Sequence, residues 1–243
     1  MSSRQGLVPL PGIRPVEAML NRAPHRLKKI QHVPDSSPAR ERLLDQAMTL
    51  GIKLERVPRK QLDEVSEVRH QGIVGFITPA GYTELDQLIF TDSPLIVALD
   101  QVTDPRNLGA ILRSAEAFGA TGALLPKHRS AHLGPTVART SAGASEILPV
   151  AMETNLAQSI KVAQKAGLQC IGADMDGVHP EAIDWSRPTM LIMGAEGQGL
   201  RRLTRERCDQ RVMIPLSGAT ASLNVSVAAG ILLHTAAEHR KKG

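Results

Sequence analysis

The amino-acid sequence predicts an α/β protein in two parts: a small α/β unit over residues 1–77 and a larger parallel-sheet domain over residues 95–243, with a linker at 78–94. Three observations carry this prediction. From Leu95 onward, short and nearly continuous apolar runs alternate with helical patterns, as in a parallel sheet covered on both faces. The breakers Thr78 to Glu84 and Asp92-Ser93-Pro94 interrupt the chain between the two parts. The charge is divided as well. Residues 1–77 hold 13 Lys and Arg against 8 Asp and Glu, whereas residues 78–243 hold 16 of each.

In chain order, Met1 to Leu10 reads as irregular, Ile13 to Asn21 as a helix and Leu27 to Val33 as a strand. Ser37-Pro38 opens a helix to about Leu50, because proline is tolerated in a first turn whose N–H has no helical partner. Gly51 ends it. A strand over Ile52 to Val57, a helix over Arg59 to Val65 and a strand over Ile73 to Ile77 complete the first unit. The linker carries a short helix around Leu85 to Ile89. The second domain has strands at Leu95 to Leu99, Gly122 to Leu125, Leu148 to Met152, Leu168 to Gly172, Met190 to Met193 and Val212 to Ile214. Its helices fall at Pro105 to Phe118, capped by Asp104, and at Pro135 to Ser141, Thr154 to Ala166 and Leu200 to Cys208. A last helix opens at Ser222 or Asn224, both good N-caps, and runs to about Glu238.

Composition narrows the function. With 42% hydrophobic and 22% charged residues, and no apolar run near the roughly 20 residues of a membrane span, the chain reads as globular and cytoplasmic. Cys170 and Cys208 read as reduced packing residues. The basic excess of the first part is what phosphate contact requires, and equally what a solvated basic face would show. Aromatics are 2%, so a row of stacked bases is not the mode of any nucleic-acid binding.

Three turns of the second domain lie between an apolar run and a helix, where parallel sheets gather ligands. The first, Asp104 to Glu116, contains Asn107 in an opening turn and Arg113 and Glu116 on one face, a constellation that a capped helix with a surface ion pair also explains. The second, Met193-Gly194-Ala195-Glu196-Gly197-Gln198-Gly199-Leu200, has three glycines in six residues, which permit close backbone approach. It lacks the Gly-Lys-Ser/Thr of a phosphate loop and departs from the dinucleotide fingerprint, so a dehydrogenase is disfavoured. The third sets Ile214, Leu216 and Leu223 as apolar walls beside Ser222 and Asn224, an arrangement suited to an adenosine-sized ligand. His128 and His132 have i,i+4 spacing but no third ligand in view, and no metal is expected. Lys127 and Arg129 read either as RNA-phosphate contacts or as a solvated loop.

Asn107 to Glu116, Met193 to Leu200 and Ile214 to Val227 resemble, in order and spacing, the three motifs of the SpoU/TrmH family of SPOUT RNA 2′-O-methyltransferases. Asp100 to Arg113, Lys127 to Ser130, Met193 to Asp209 and Ser222 to Val227 resemble most the 23S rRNA (guanosine-2′-O-)-methyltransferase branch. His70-Gln71-Gly72-Ile73 resembles the family's L30e-like RNA-binding domain. The resemblance implies a C-terminal trefoil knot, a homodimer and S-adenosyl-L-methionine bound at Gly194, Ile214, Leu216 and Leu223. It implies catalytic roles for Arg113, Asn107, Glu196, Ser222 and Asn224, with Arg113 at the ribose 2′-oxygen. An arginine with a pKa above 12 suits charge stabilisation better than proton abstraction. Gly12-Ile13-Arg14 departs from the Gly-Ile-His frequent in that branch. The alternatives are methylation of tRNA or of another rRNA nucleotide, and a non-catalytic RNA-binding protein of the same fold.

Overall fold

The computed structural model of the protein describes residues 6–34, 37–66 and 69–241. It divides into two compact units, one of residues 1–80 with 142–147, the other of residues 81–141 with 148–243. Among the described residues no helix is long and apolar enough to cross a membrane.

The first unit contains β1 (Val8–Pro11), α1 (Ile13–Arg22), β2 (Leu27–His32), α2 (Pro38–Thr49), β3 (Lys53–Arg56), α3 (Arg59–Val65) and β4 (Ile73–Ile77). Its sheet runs β1-β4-β2-β3, with β2 and β3 parallel and β4 antiparallel to both its neighbours. Strand β1 corrects the expectation of an irregular start, of which residues 1–5 lie outside the described residues. Its two prolines donate no ladder bond, and it accordingly sits at a sheet edge. Ser37 caps α2 by accepting from the Arg40 N–H at 3.4 Å. Leu10, Val16, Ile30, Leu43, Ile73 and Ile77 are among the residues that form the core. The Glu146 carboxylate, almost fully buried, pairs with Arg26 at 2.8 Å and accepts from the Ala80 N–H at 2.7 Å.

The second unit contains α4 (Leu85–Ile89), β5 (Leu95–Leu99), α5 (Pro105–Ala117), β6 (Gly122–Pro126), α6 (Pro135–Thr140), β7 (Val150–Glu153), α7 (Leu156–Lys165), β8 (Gln169–Val178), β9 (Thr189–Met193), α8 (Arg202–Arg207), β10 (Gln210–Val212) and α9 (Val225–Arg240). Six parallel strands run in the order β10-β8-β9-β5-β6-β7. Every residue of β5 is buried: Leu95, Val97 and Leu99 join a core with α5 and α9, while Ile96 and Ala98 join another with α4 and α7. This two-sided burial is why the strands read as unbroken apolar runs.

Two boundaries differ from expectation in ways that shape the site. Strand β8 continues to Val178, and its register against β10 jumps from Gly172 opposite Arg211 to Val178 opposite Val212. Residues 173–177 thus bulge outward, and Gly177 lets the bulge return, since a Cβ there would lie 2.6 Å from the Arg211 carbonyl. Strand β10 spans Gln210–Val212 instead of Val212 to Ile214, because its pairing with β8 ends there and Pro215 follows.

Candidate active site

The site is built on the carboxyl ends of β5, β9 and β10, where three loops converge. Asp100, directly after β5, is fully buried and donates its N–H to the Met193 carbonyl at 2.7 Å. Its carboxylate accepts from the Arg201 N–H at 3.0 Å and from the Arg201 Nε at 2.6 Å. The far end of the glycine turn is therefore tied to the central strand. Within the turn, Ala195 and Gly199 exchange two backbone hydrogen bonds, of 3.0 and 2.9 Å. Gly197 and Gly199 take positive φ of 76° and 66°. Gly194 has a different reason to be glycine. A Cβ there would stand 2.5 Å from the Gly199 carbonyl oxygen, and closer still to the Gly199 carbonyl carbon and Leu200 nitrogen.

Polar side chains link the three loops. Asn224 caps α9, its Oδ1 accepting from the Ser226 N–H at 2.9 Å, so its amide nitrogen points away from the helix. That nitrogen donates to Asn107 Oδ1 at 3.1 Å, and Asn107 Nδ2 in turn donates to Glu196 Oε2 at 3.3 Å. Capping thus sets the orientation of both amides. Among the described residues Glu196 Oε1 has no partner, so one carboxylate oxygen is open to a hydroxyl or ammonium donor.

Beside this chain lies a cavity of about 640 Å³, lined by Gly194, Glu196, Ile214, Leu216, Ser222 and Leu223 together with Ala173, Asp174 and Met175 of the β8 bulge. The volume is that of a small-molecule site. Among the described residues, Ile214 to Leu223 make no backbone–backbone hydrogen bond, leaving their N–H and C=O groups available at the cavity wall. Apolar walls with unpaired backbone donors and acceptors fit a cofactor that combines a heterocycle with an amino-acid moiety. A second cavity of about 470 Å³ lies on the other side of the turn. It shares Ala195, Glu196, Gln198 and Val225 with the first and adds Asn107 and Arg129.

The residues anticipated from the sequence fall into three groups. Gly194, Glu196, Ile214, Leu216, Ser222 and Leu223 come together at the first cavity. Asn107 and Asn224 join them through hydrogen bonds. Arg113 stands apart. It is exposed and makes no hydrogen bond or ion pair among the described residues, so the surface pair with Glu116 does not form. Six residues beyond Asn107, it lies about 9 Å further along α5 and about 120° around it. Ser222 does not cap α9; Asn224 does.

Asp100, Arg201 and the bulge residues were not anticipated as site residues. Asp100 and Arg201 fall within the stretches that resemble the family branch but carry no role from it, and Asp174 and Asp176 read only as polar residues after an apolar strand. His132 Nε2 lies 3.2 Å from the Lys127 carbonyl, and the described residues contain no metal-ligating cluster of three. Cys170 is buried in the core that α7 covers, and Cys208 packs half-buried beside it. Burial, with help from Asp209, raises both thiol pKa values, that of Cys208 to about 12.

A parallel sheet with a tied glycine turn carries a polar chain that joins three loops around a cofactor-sized cavity. Residues 94–234 match the SpoU rRNA Methylase family and residues 9–83 match the RNA 2′-O ribose methyltransferase substrate-binding family. The chain belongs to the SpoU rRNA methylase family. Among particular proteins, it is 40% identical over 236 residues to the 23S rRNA (guanosine-2′-O-)-methyltransferase RlmB of Pseudomonas syringae pv. tomato, covering 94% of each chain. It is 39% identical to the RlmB of Vibrio cholerae, covering 94% of this chain and 96% of that one. The SpoU methyltransferase AviRb of Streptomyces viridochromogenes, solved in complex with the cofactor AdoMet, superposes with a TM-score of 0.74 at 26% identity, over 99% of this chain and 93% of that one. The AdoMet-bound rRNA methyltransferase of Sinorhizobium meliloti gives 0.71 at 27% identity, over 96% and 87%.

Proposed function

We propose that the protein methylates the 2′-hydroxyl of a guanosine in 23S rRNA, using S-adenosyl-L-methionine held in the 640 Å³ cavity. The observation that carries this reading is the directed chain from Asn224 through Asn107 to Glu196, which ends on an open carboxylate oxygen beside that cavity. The RlmB relatives, matched over nearly their whole length, supply the substrate. When bound, the cofactor provides an activated methyl group on a sulfonium, with a neutral thioether as leaving group.

Gly194, Ile214, Leu216 and Leu223 hold the cofactor through backbone groups and apolar walls. Glu196, Asn107, Ser222 and Asn224 orient the acceptor ribose, and Arg113 stabilises negative charge developing on the 2′-oxygen as its proton passes to the adjoining phosphate or to water. Positioning lowers the barrier by several kcal/mol and preorganised charge by more. The remoteness of Arg113 from Asn107 favours a homodimer in which this arginine serves the partner's acceptor. Helix α9 is largely apolar from Val225 to Leu233 and leaves Val227 and Ile231 exposed there, as expected of a helix that is covered in the assembly. Strand β10 lies at the sheet edge while α9 packs on α5 at its centre, so the chain must cross back past the glycine turn, a path consistent with a trefoil knot. The first unit, L30e-like in this reading, binds RNA through its basic excess.

The test is a map of 2′-O-methylated riboses in 23S rRNA from a strain lacking the gene. One guanosine should lose its methyl group and regain it on complementation. An unchanged map, or a site in tRNA, overturns the assignment.

A further inference from the structure

We infer that the second cavity, of about 470 Å³, receives the acceptor nucleotide, and that Arg129 binds a phosphodiester adjoining the acceptor ribose, a positioning role for a residue outside the three motifs. The inference rests on the methyltransferase reading and adds to it where the RNA strand lies.

The cavity lies across the glycine turn from the cofactor cavity. Asn107 and Glu196 stand in its wall, so an occupant meets the open end of the hydrogen-bonded chain. Its other polar lining comes from Gln101, Thr103, Gln198, Arg129 and Asp104, whose carboxylate is engaged as the cap of α5, accepting from the Arg106 N–H at 2.8 Å. Two of these, Gln101 and Arg129, have the left-handed backbone conformation that side chains rarely adopt, with φ of 64° and 54°. Such a conformation persists where its surroundings over-determine it, and here they do. On one side of Arg129, the Lys127 N–H donates to the Glu153 carbonyl at 2.8 Å. On the other, the Ala131 N–H donates to the Val102 carbonyl at 2.8 Å and the Leu133 N–H to the Tyr82 hydroxyl at 2.9 Å. His132 closes the loop onto the Lys127 carbonyl and meets the Tyr82 ring edge-on.

A loop anchored at both ends thus presents one guanidinium at the cavity wall. Arg129 is exposed and makes no hydrogen bond or ion pair among the described residues, so its forked donors are available to two oxygens of a phosphate. Lys127, two residues earlier, does not line the cavity. The loop is therefore not a uniform basic surface, and the two cations have separable roles.

The experiment compares Arg129→Ala, Arg129→Lys and Lys127→Ala with the intact protein, using a 23S rRNA transcript. Arg129→Ala should raise the RNA KM about tenfold and reduce the slope of log affinity against log salt by about one. Adenosylmethionine affinity, measured by calorimetry, should stay within twofold. Arg129→Lys should restore the salt slope but only part of the KM, because a point charge replaces a fork. Lys127→Ala should change KM less than threefold. Equal effects of Lys127→Ala and Arg129→Ala overturn the inference, as does an unchanged KM and slope in Arg129→Ala. Failure of the intact protein to bind adenosylmethionine would instead reject the methyltransferase reading, while the salt-slope comparison would still judge Arg129.

Discussion

Replacing Gly194 by alanine tests the site at its narrowest point. The added methyl would stand 2.5 Å from the Gly199 carbonyl oxygen and nearer still to the adjoining backbone atoms. The returning arm of the turn must therefore move by about 1 Å to reach ordinary contact. Overpacking of this kind costs about 1–3 kcal/mol. The burden falls on the turn, because Glu196 to Gly199 are exposed and shift against only the paired Ala195–Gly199 bonds, while β9 is buried along its whole length. Stability should therefore fall by only about 1 kcal/mol, or about 2–4 °C in Tm. The displaced arm carries Glu196, whose bond from Asn107 is already long at 3.3 Å, and forms one wall of the cofactor cavity. If the same strain is felt in binding, adenosylmethionine affinity should weaken about 10- to 100-fold. Calorimetry on the variant gives the number directly. Gly197→Ala is the control: its φ is +76°, but nothing lies within 4 Å of the added methyl, so it adds backbone strain without a clash. Binding within twofold of the parent in Gly194→Ala would refute the close-approach argument, and equal losses in both variants would transfer the effect to backbone freedom.

Arg113→Ala should abolish methylation while leaving adenosylmethionine affinity within twofold, and mixing it with Asn107→Ala should restore activity to the fraction of heterodimers with one intact site. Asp100→Ala leaves the Arg201 N–H and guanidinium without their acceptor. With hydrogen bonds to charged groups worth about 1.5–3 kcal/mol, and Arg201 half-exposed, a loss of about 2 kcal/mol is expected in denaturant titration, together with weaker cofactor binding. Glu55 is held at a pKa of about 2 by Lys29 first, then Lys53 and Gln31. Its stabilising effect is full above the ordinary carboxylate range and is lost as pH falls through about 2, so Glu55→Gln should melt lower at pH 7 and match the parent near pH 2. Because burial raises both thiol pKa values, a thiol reagent at pH 8 should react slowly with the native protein and with two equivalents after unfolding.

Much of the fold was legible because its elements are bounded by strong breakers. Helix α3, helix α4 and strands β4 and β5 match expectation to the residue, each an apolar or helical run between turn-forming residues. Strand β1 was hidden by its prolines, which argue against a strand unless the pairing leaves their nitrogens at an edge. The β8 bulge was hidden for the converse reason. Asp174 and Asp176 read as the end of a strand, yet their carboxylates pair with Arg205, and with Arg205 and Arg211, across the bulge. For the site, the motifs named the residues that meet at the cavity but not how they are joined. That Asn224 rather than Ser222 caps α9 fixes the direction of the polar chain, and only coordinates distinguish the two. Helical spacing alone could have warned that Arg113 and Asn107 do not share a face. Nothing in the sequence marks Arg129 apart from Lys127, because the difference is a backbone conformation set by contacts with Val102, Glu153 and Tyr82.

The two cavities meet at one short segment, and this has a consequence for how the proposed reaction is controlled. Gly194 to Gly199 lines the cofactor cavity throughout, and its Ala195, Glu196 and Gln198 line both. In-line transfer requires donor and acceptor to be aligned together, so a turn that bounds both sites can set that alignment only if it does not move. Asp100 and Arg201, which line neither cavity, and the paired bonds between Ala195 and Gly199 meet that need. The expected pattern of damage follows. Changes at Leu223 or Ile214 should act on cofactor affinity alone and changes at Arg129 on RNA affinity alone, whereas loosening the Asp100 tie should lower kcat with both ligands saturating, since binding each partner does not ensure that the two are aligned.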